Sequence, residues 1–154
     1  MRLPTATLTF ARGIVVMGAC GTDEVRLHGL SDTVHERITR RDDTPISLAR
    51  ATEFPWDRVF IFQPYTPYEQ VVDAIGIPWE GVQRSGIATR DDAVLWVFMR
   101  SREIAAFAMY PRRDGDLSEV REPRGLTPEQ ALFVARRVEH DGPWTVLELA
   151  SPQR

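Results

Sequence analysis

The chain has 154 residues, of which 43% are hydrophobic and 27% charged; this excludes an intrinsically disordered protein and suffices for one domain with a buried core. All 19 basic residues are arginines, as expected from a GC-rich genome, and they are interspersed with 22 acids that give a net charge of −3. Because no surface of a single positive sign is indicated, the composition predicts no nucleic-acid partner.

The N-terminal residues follow the order of a secretory signal. Residues 1–12 contain arginines and no acid, the apolar run "GIVVMGA" follows, and Cys20, the only cysteine, precedes the first acids. The letters "MGAC" resemble the bacterial lipobox, in which the chain is cut before a cysteine that then carries lipid. This resemblance implies that residues 1–19 are a lipoprotein signal peptide. Cys20 would then be the lipid attachment site of a protein anchored on the extracytoplasmic side of a bacterial membrane.

Two other interpretations of Cys20 remain. The stretch "GIVVMGAC" also fits a buried β-strand with the thiol in the core. The chain would then be a small non-lipidated interaction domain, cytoplasmic or secreted. A catalytic thiol is disfavoured, because the sequence neighbours of Cys20 supply neither a histidine nor a helix N-terminus to activate it.

Residues 20–45 are predicted to be either a loose tether or an N-terminal helix. An amphipathic helix between positions 23 and 41 is favoured by apolar residues at helical spacing. They are Leu27, Leu30, Val34 and Ile38. On such a helix His28 and His35 would lie about 10 Å apart, too far to share a metal ion directly. The sequence predicts no metal site and no cofactor.

The segment "RVFIF", residues 58–62, is apolar and rich in β-branched and aromatic residues, which predicts a buried strand. The following "TPYEQVVDAIG" predicts a helix. Thr66 is expected to cap it, Pro67 to start it, Glu69 to complete a capping box and Gly76 to end it.

The same signals recur in "LTPEQALFVARRVEHDG". Here Thr127 is expected to cap a second helix, Gln130 to close the capping box and Gly142 to terminate the helix. His140 would lie in its last turn, where the helix dipole favours a cation.

The remaining segments predict an antiparallel hairpin, two further strands and a long polar loop. These are residues 93–99 with 103–110, then 85–89 and 144–150, and finally 112–124. The order of elements predicts a single α+β domain over residues 46–150. We expect a mainly antiparallel sheet of about four to six strands with two or three helices packed on it.

The densest constellation is "FPWDRVFIFQPYTPY", residues 54–68. It resembles a WD, strand, PYTP, helix segment of small bacterial proteins of unknown function, many of them lipoprotein candidates. The resemblance covers Ile46 to Arg113 and rests on Trp56, Asp57, Phe62, Pro64, Tyr65, Thr66 and Pro67. It implies a fold and an envelope location, and it gives no indication of an activity.

Four residues of this constellation form the candidate binding surface: Trp56, Asp57, Tyr65 and Tyr68. Tyrosine and tryptophan are frequent in protein interfaces, and the N-terminus of the helix beside the tyrosines is expected to accept an anion or a carboxylate. The alternative is that Trp56 and Tyr65 only pack the corner between strand and helix, with Asp57 bonded to a backbone or indole N–H.

The leading functional prediction is a lipid-anchored envelope protein that binds a protein partner and has no catalytic residues. One alternative is the non-lipidated interaction domain. A second is a small hydrolase that uses acids between positions 53 and 69, namely Glu53, Asp57 and Glu69.

Overall fold

The computed structural model describes residues 24–139 and 142–150. The helices are α1 (His28–Arg40), α2 (Leu48–Ala51), α3 (Tyr68–Ile75) and α4 (Gly81–Ser85). The strands are β1 (Ile46–Ser47), β2 (Arg58–Phe62), β3 (Ala93–Arg100), β4 (Glu103–Pro111), β5 (Leu132–Glu139) and β6 (Pro143–Leu149). Short 3-10 turns occupy Ile87–Thr89 and Arg112–Asp114. Within the two described ranges, no helix combines the length and apolar character that crossing a bilayer requires.

The six strands form two antiparallel sheets of three strands each, in the orders β2-β3-β4 and β1-β5-β6. The predicted hairpin is confirmed as β3 and β4, and the predicted strand at 58–62 is confirmed as β2. Four helices of the described residues lie around these sheets, and the molecule is a single α+β domain, as the sequence predicts.

The main hydrophobic core lies between the two sheets. Aromatic rings dominate it: Trp96 of β3 packs edge-on against Tyr110 of β4 and against Phe133 of β5. The helix predicted between 23 and 41 is confirmed as α1, whose Leu30 and Val34 are buried in this core. The apolar residues at helical spacing therefore mark the face of α1 that packs against the main core.

A second core covers the other face of the β2-β3-β4 sheet. Val71 and Ile75 of α3 are buried there, together with Val97 of β3 and Phe107 of β4. Strand β3 is consequently buried on both faces, which explains why its sequence shows no alternation between apolar and polar residues.

Helix α3 is confirmed, but its predicted cap is wrong. Pro67 occupies the cap position, and no side chain makes a capping hydrogen bond. The Thr66 hydroxyl instead donates to the backbone carbonyl of Gln63, 2.7 Å away, and so closes the turn that leads out of β2. Gly76 ends the helix as predicted, with a left-handed φ of 76°.

The helix predicted from Thr127 to Gly142 is wrong. The capping signals produce a single turn, in which the Thr127 N–H donates to the Gln130 side-chain oxygen, and strand β5 follows. Phe133 and Ala135 are both buried, the two-residue period of a strand, and β5 pairs with β1 and β6. The helix in whose last turn His140 is predicted to lie does not form. His140 itself lies outside the described residues.

The strand predicted at 85–89 is also wrong. Ser85 ends α4, and Gly86 adopts a left-handed φ of 69° that turns the chain into a 3-10 turn with Ile87 fully buried. The predicted strand at 144–150 is confirmed as β6, which ends at Leu149. In the polar segment 112–124, Asp116 pairs with the edge of β6 through its backbone.

Candidate functional site

Strand β2 separates the four residues of the predicted binding surface. Trp56 and Asp57 precede the strand, whereas Tyr65 and Tyr68 follow it. The five residues of β2 extend over about 17 Å, so the structure does not bring the two pairs together.

At the first end of β2, Trp56 is a packing residue. Its side chain is 9% exposed, its indole N–H donates to the Thr52 hydroxyl at 2.8 Å, and its ring packs edge-on against Phe98. Asp57 accepts a hydrogen bond from the backbone N–H of Ser101 in the β3–β4 turn. Both residues therefore have structural partners that account for their presence.

At the second end, Tyr65 is exposed and conformationally strained. It has a φ of 64°, which is unfavourable for a residue with a Cβ, and its side chain is 60% exposed. Its backbone N–H donates to the Ile87 carbonyl at 2.9 Å, which holds the corner in place. Among the described residues it is the only large hydrophobic side chain classed as exposed. Tyr68, in contrast, is partly buried against the second core.

A groove of about 940 Å³ begins beside Tyr65 and runs along β2. The consecutive β2 residues Phe60, Ile61 and Phe62 all border it, although the side chains of successive strand residues point alternately to opposite faces of the sheet. The groove therefore lies against the outer edge of the strand rather than on one of its faces. Helix α3 forms one wall, and residues 120–123 form the other. We refer to this feature as the β2 groove.

Gln63 holds the second wall of the β2 groove in position. Its side-chain N–H₂ donates to the backbone carbonyls of Leu117 and Val120, at 3.0 and 3.2 Å. The side-chain oxygen of Gln63 is buried and accepts no hydrogen bond within the described part of the chain. Sequence reasoning missed this wall because it comes from a polar loop more than 50 residues away, tied by one glutamine with no recognisable motif.

The described residues cover only part of the outer edge of β2. Val59 exchanges two backbone hydrogen bonds of 2.8 Å with Leu126. This close approach depends on Gly125, where a Cβ would lie 2.9 Å from the Val59 carbonyl oxygen. Since alternate residues of a strand direct their backbone groups to the same side, Ile61 directs its N–H and C=O outward too. No backbone hydrogen bond from the described loops reaches Ile61.

The rim of the β2 groove is mainly acidic. Glu69 and Asp73, one turn apart on α3, and Glu122 on the opposite wall are exposed, and Arg121 is the basic residue among the lining groups. Glu69 lies in the first turn of α3. The anion expected at this helix N-terminus would therefore meet a carboxylate, and the charge of the groove favours a cation.

The acids of the hydrolase alternative are not assembled into one site. Glu53 and Asp57 lie before β2, whereas Glu69 lies beyond its other end. Across residues 24–139 and 142–150, no three histidine, cysteine, aspartate or glutamate side chains cluster as a metal site would require. Cys20, the predicted lipid attachment site, lies outside the described residues.

The most buried carboxylate of the described chain, Asp116, is fully engaged in structural bonds. It is 5% exposed and accepts hydrogen bonds from the Arg112 guanidinium, the Ser118 N–H and the Trp144 indole. Burial acts to raise the pKa of Asp116, but these hydrogen bonds outweigh burial and lower the pKa below its usual value. Asp116 therefore joins the 112–118 segment to β6 as a carboxylate.

Comparison of the chain with protein family models, with curated proteins and with solved structures finds no match. The resemblance of residues 46–113 to bacterial lipoprotein candidates stays a prediction.

Proposed function

We propose that this protein binds a protein partner at a bacterial cell envelope, where lipid on Cys20 anchors it, and that the β2 groove is the contact surface. The observation that supports this proposal is the groove itself, an indentation with an exposed aromatic residue at its mouth. Grooves with an apolar floor and a polar rim are typical of binding sites.

Tyr65 is the residue of the groove best suited to anchor a partner. A tyrosine offers a large apolar face and a hydroxyl while losing little side-chain entropy, and residues of this kind dominate the energy of many interfaces. The strained backbone at Tyr65 costs stability, and it positions the ring at the mouth of the groove. Strain of this kind persists where the surrounding structure enforces it, and the bond to Ile87 does so here.

The anchor is tested by labelling cells of a bacterial host with palmitate. We expect the wild-type protein to incorporate label and the Cys20→Ser variant to incorporate none. Because lipid chains contribute about 0.8 kcal/mol per buried methylene, the labelled protein should sediment with membranes and the variant should not. An unlabelled wild-type protein, or label that survives Cys20→Ser, would refute the anchor.

The contact surface is tested by photo-crosslinking in cells. A benzophenone amino acid at position 65 should yield one discrete adduct with a second protein. The same group at Arg40, an exposed residue of α1 away from the groove, serves as the matched control and should not yield this adduct. Identical adducts from both positions, or none from position 65, would contradict binding at the β2 groove.

A further inference from the structure

We propose that the partner enters the β2 groove as an extended segment with basic side chains and adds a strand to the open part of the β2 edge at Ile61. This inference rests on the proposed function and specifies the chemistry of the partner. Strand addition to a sheet edge is a recurrent mode of peptide recognition, in which backbone hydrogen bonds supply affinity and side-chain contacts supply specificity.

The backbone of β2 provides the hydrogen-bonding groups. The backbone groups of Phe60 and Phe62 face β3, where these residues are in register with Val97 and Leu95. The backbone groups of Val59 instead bond outward to Leu126. Ile61 shares the outward direction of Val59, and the β2 groove borders it. Its N–H and C=O therefore point into the groove, where an incoming strand can pair with them.

The length of the open edge limits what can bind. It begins after the pair formed by Val59 and Leu126 and ends at the corner of Pro64 and Tyr65. This interval corresponds to about four residues of extended chain, or about 13 Å. The segment that fits is short, and a long strand would collide with Leu126 at one end and with the corner at the other.

The side chains on the rim determine the charge of the partner. Glu69, Asp73 and Glu122 line the groove that contains the open edge, and Arg121 offsets one of the three charges. Glu69 and Asp73 are four residues apart on a helix, so both carboxylates lie on the same face. An arginine or lysine on a strand seated at Ile61 would meet this pair, whereas an acidic segment would be repelled.

The inference is tested with a short synthetic peptide that alternates valine and arginine, added to the full-length protein in detergent micelles. Binding is measured by fluorescence polarisation, and the bound edge is identified from amide chemical shifts. We expect saturable binding with shifts at Ile61 and Tyr65. Shifts confined to β4, the other outer strand of the same sheet, would overturn the assignment to β2.

Two matched peptides and two matched variants separate strand pairing from charge. The same peptide methylated on its backbone nitrogens keeps every side chain but cannot donate, and it should bind more than about tenfold more weakly. Replacing its arginines with glutamates should abolish binding. In the protein, Asp73→Arg should weaken binding about fivefold. Asp43→Arg, the same charge change at an exposed acid outside the groove, should have no effect.

The outcome is distinguishable from failure of the proposed function. If the methylated peptide binds as well as the unmodified one, or if no peptide binds while position 65 still yields its crosslinked adduct, strand addition is wrong and the groove remains a binding surface. If the crosslink also fails, both proposals fail.

Discussion

Removal of the Asp116 carboxylate tests whether the loop that carries the second wall of the β2 groove is held to the sheets as the structure indicates. The change Asp116→Ala leaves the backbone bonds of this residue to Thr145 and Leu147 in place and removes only the side chain. Three donors then lose their acceptor: the Arg112 guanidinium, the Trp144 indole and the Ser118 N–H.

The expected cost follows from burial. Breaking a buried ion pair by removing one partner costs about 3 to 5 kcal/mol. The Arg112 side chain is 31% exposed, and it keeps a hydrogen bond to the Asp91 carbonyl, so water and this carbonyl compensate part of the loss. We therefore expect a loss of about 3 kcal/mol in the free energy of unfolding, at the lower end of that range.

The pH dependence gives an independent check. Because the folded pKa of Asp116 is lowered, its contribution is fully present above the pKa of an unfolded aspartate, about 4, and is lost as the pH falls through the lower folded pKa. The free energies of unfolding of the wild type and of Asp116→Asn, measured by urea denaturation, should therefore approach each other as the pH falls below about 4. A difference below about 1 kcal/mol at pH 7 between the wild type and Asp116→Ala would refute the reasoning, and so would a difference between the wild type and Asp116→Asn that persists unchanged in acid.

Three further predictions concern the fold. Gly125→Ala should cost about 2 kcal/mol of unfolding free energy, because φ is 68° and the new Cβ would strike a backbone oxygen of β2. Gly76→Ala, where φ is 76° and the space around the new Cβ is open, should lower the free energy of unfolding by about 1 kcal/mol. Equal losses from the two glycine variants would contradict the close approach of Gly125 to β2. Phe133→Ala should lower the free energy of unfolding by about 4 kcal/mol, whereas Val134→Ala, on the other face of β5, should lower it by less than about 1 kcal/mol. Equal losses from the two variants would contradict the assignment of β5 as a strand. A chain that starts at Cys20 should keep its Tm within about 2 °C of the full-length chain. A fall of more than about 5 °C would indicate that residues 1–19 belong to the fold.

The two segments with the letters T, P, E and Q show how far local sequence reasoning reaches. Both contain the same start signals, but only the first continues as a helix, with Val71 and Ile75 at helical spacing before a glycine. After Thr127 the apolar residues fit either period, and pairing of β5 with its two neighbours selects the strand. Contacts between residues distant in the sequence therefore determine that this segment is a strand, and the local sequence gives no information about those contacts.

The candidate site was predictable in one half only. The sequence drew attention to the segment from Trp56 to Tyr68, and one side of the β2 groove lies at the end of that segment. The intervening strand separates Trp56 from Tyr65, a consequence that follows once β2 is recognised. The wall at 120–123 depends on the hydrogen bonds of Gln63, which neither composition nor spacing indicates.

The edge of β2, which the described residues cover only in part, links the fold to the proposed interaction. An uncovered strand edge invites pairing with any other chain, and proteins usually protect such edges with charges, irregularities or a covering loop. Here Leu126 covers Val59, while the edge at Ile61 is flanked by the carboxylates of Glu69 and Asp73. A second copy of the same edge would bring like charges together, so these acids disfavour self-association. In the proposed interaction the same acids would attract a basic segment, so that one set of charges would both disfavour self-association and select the partner.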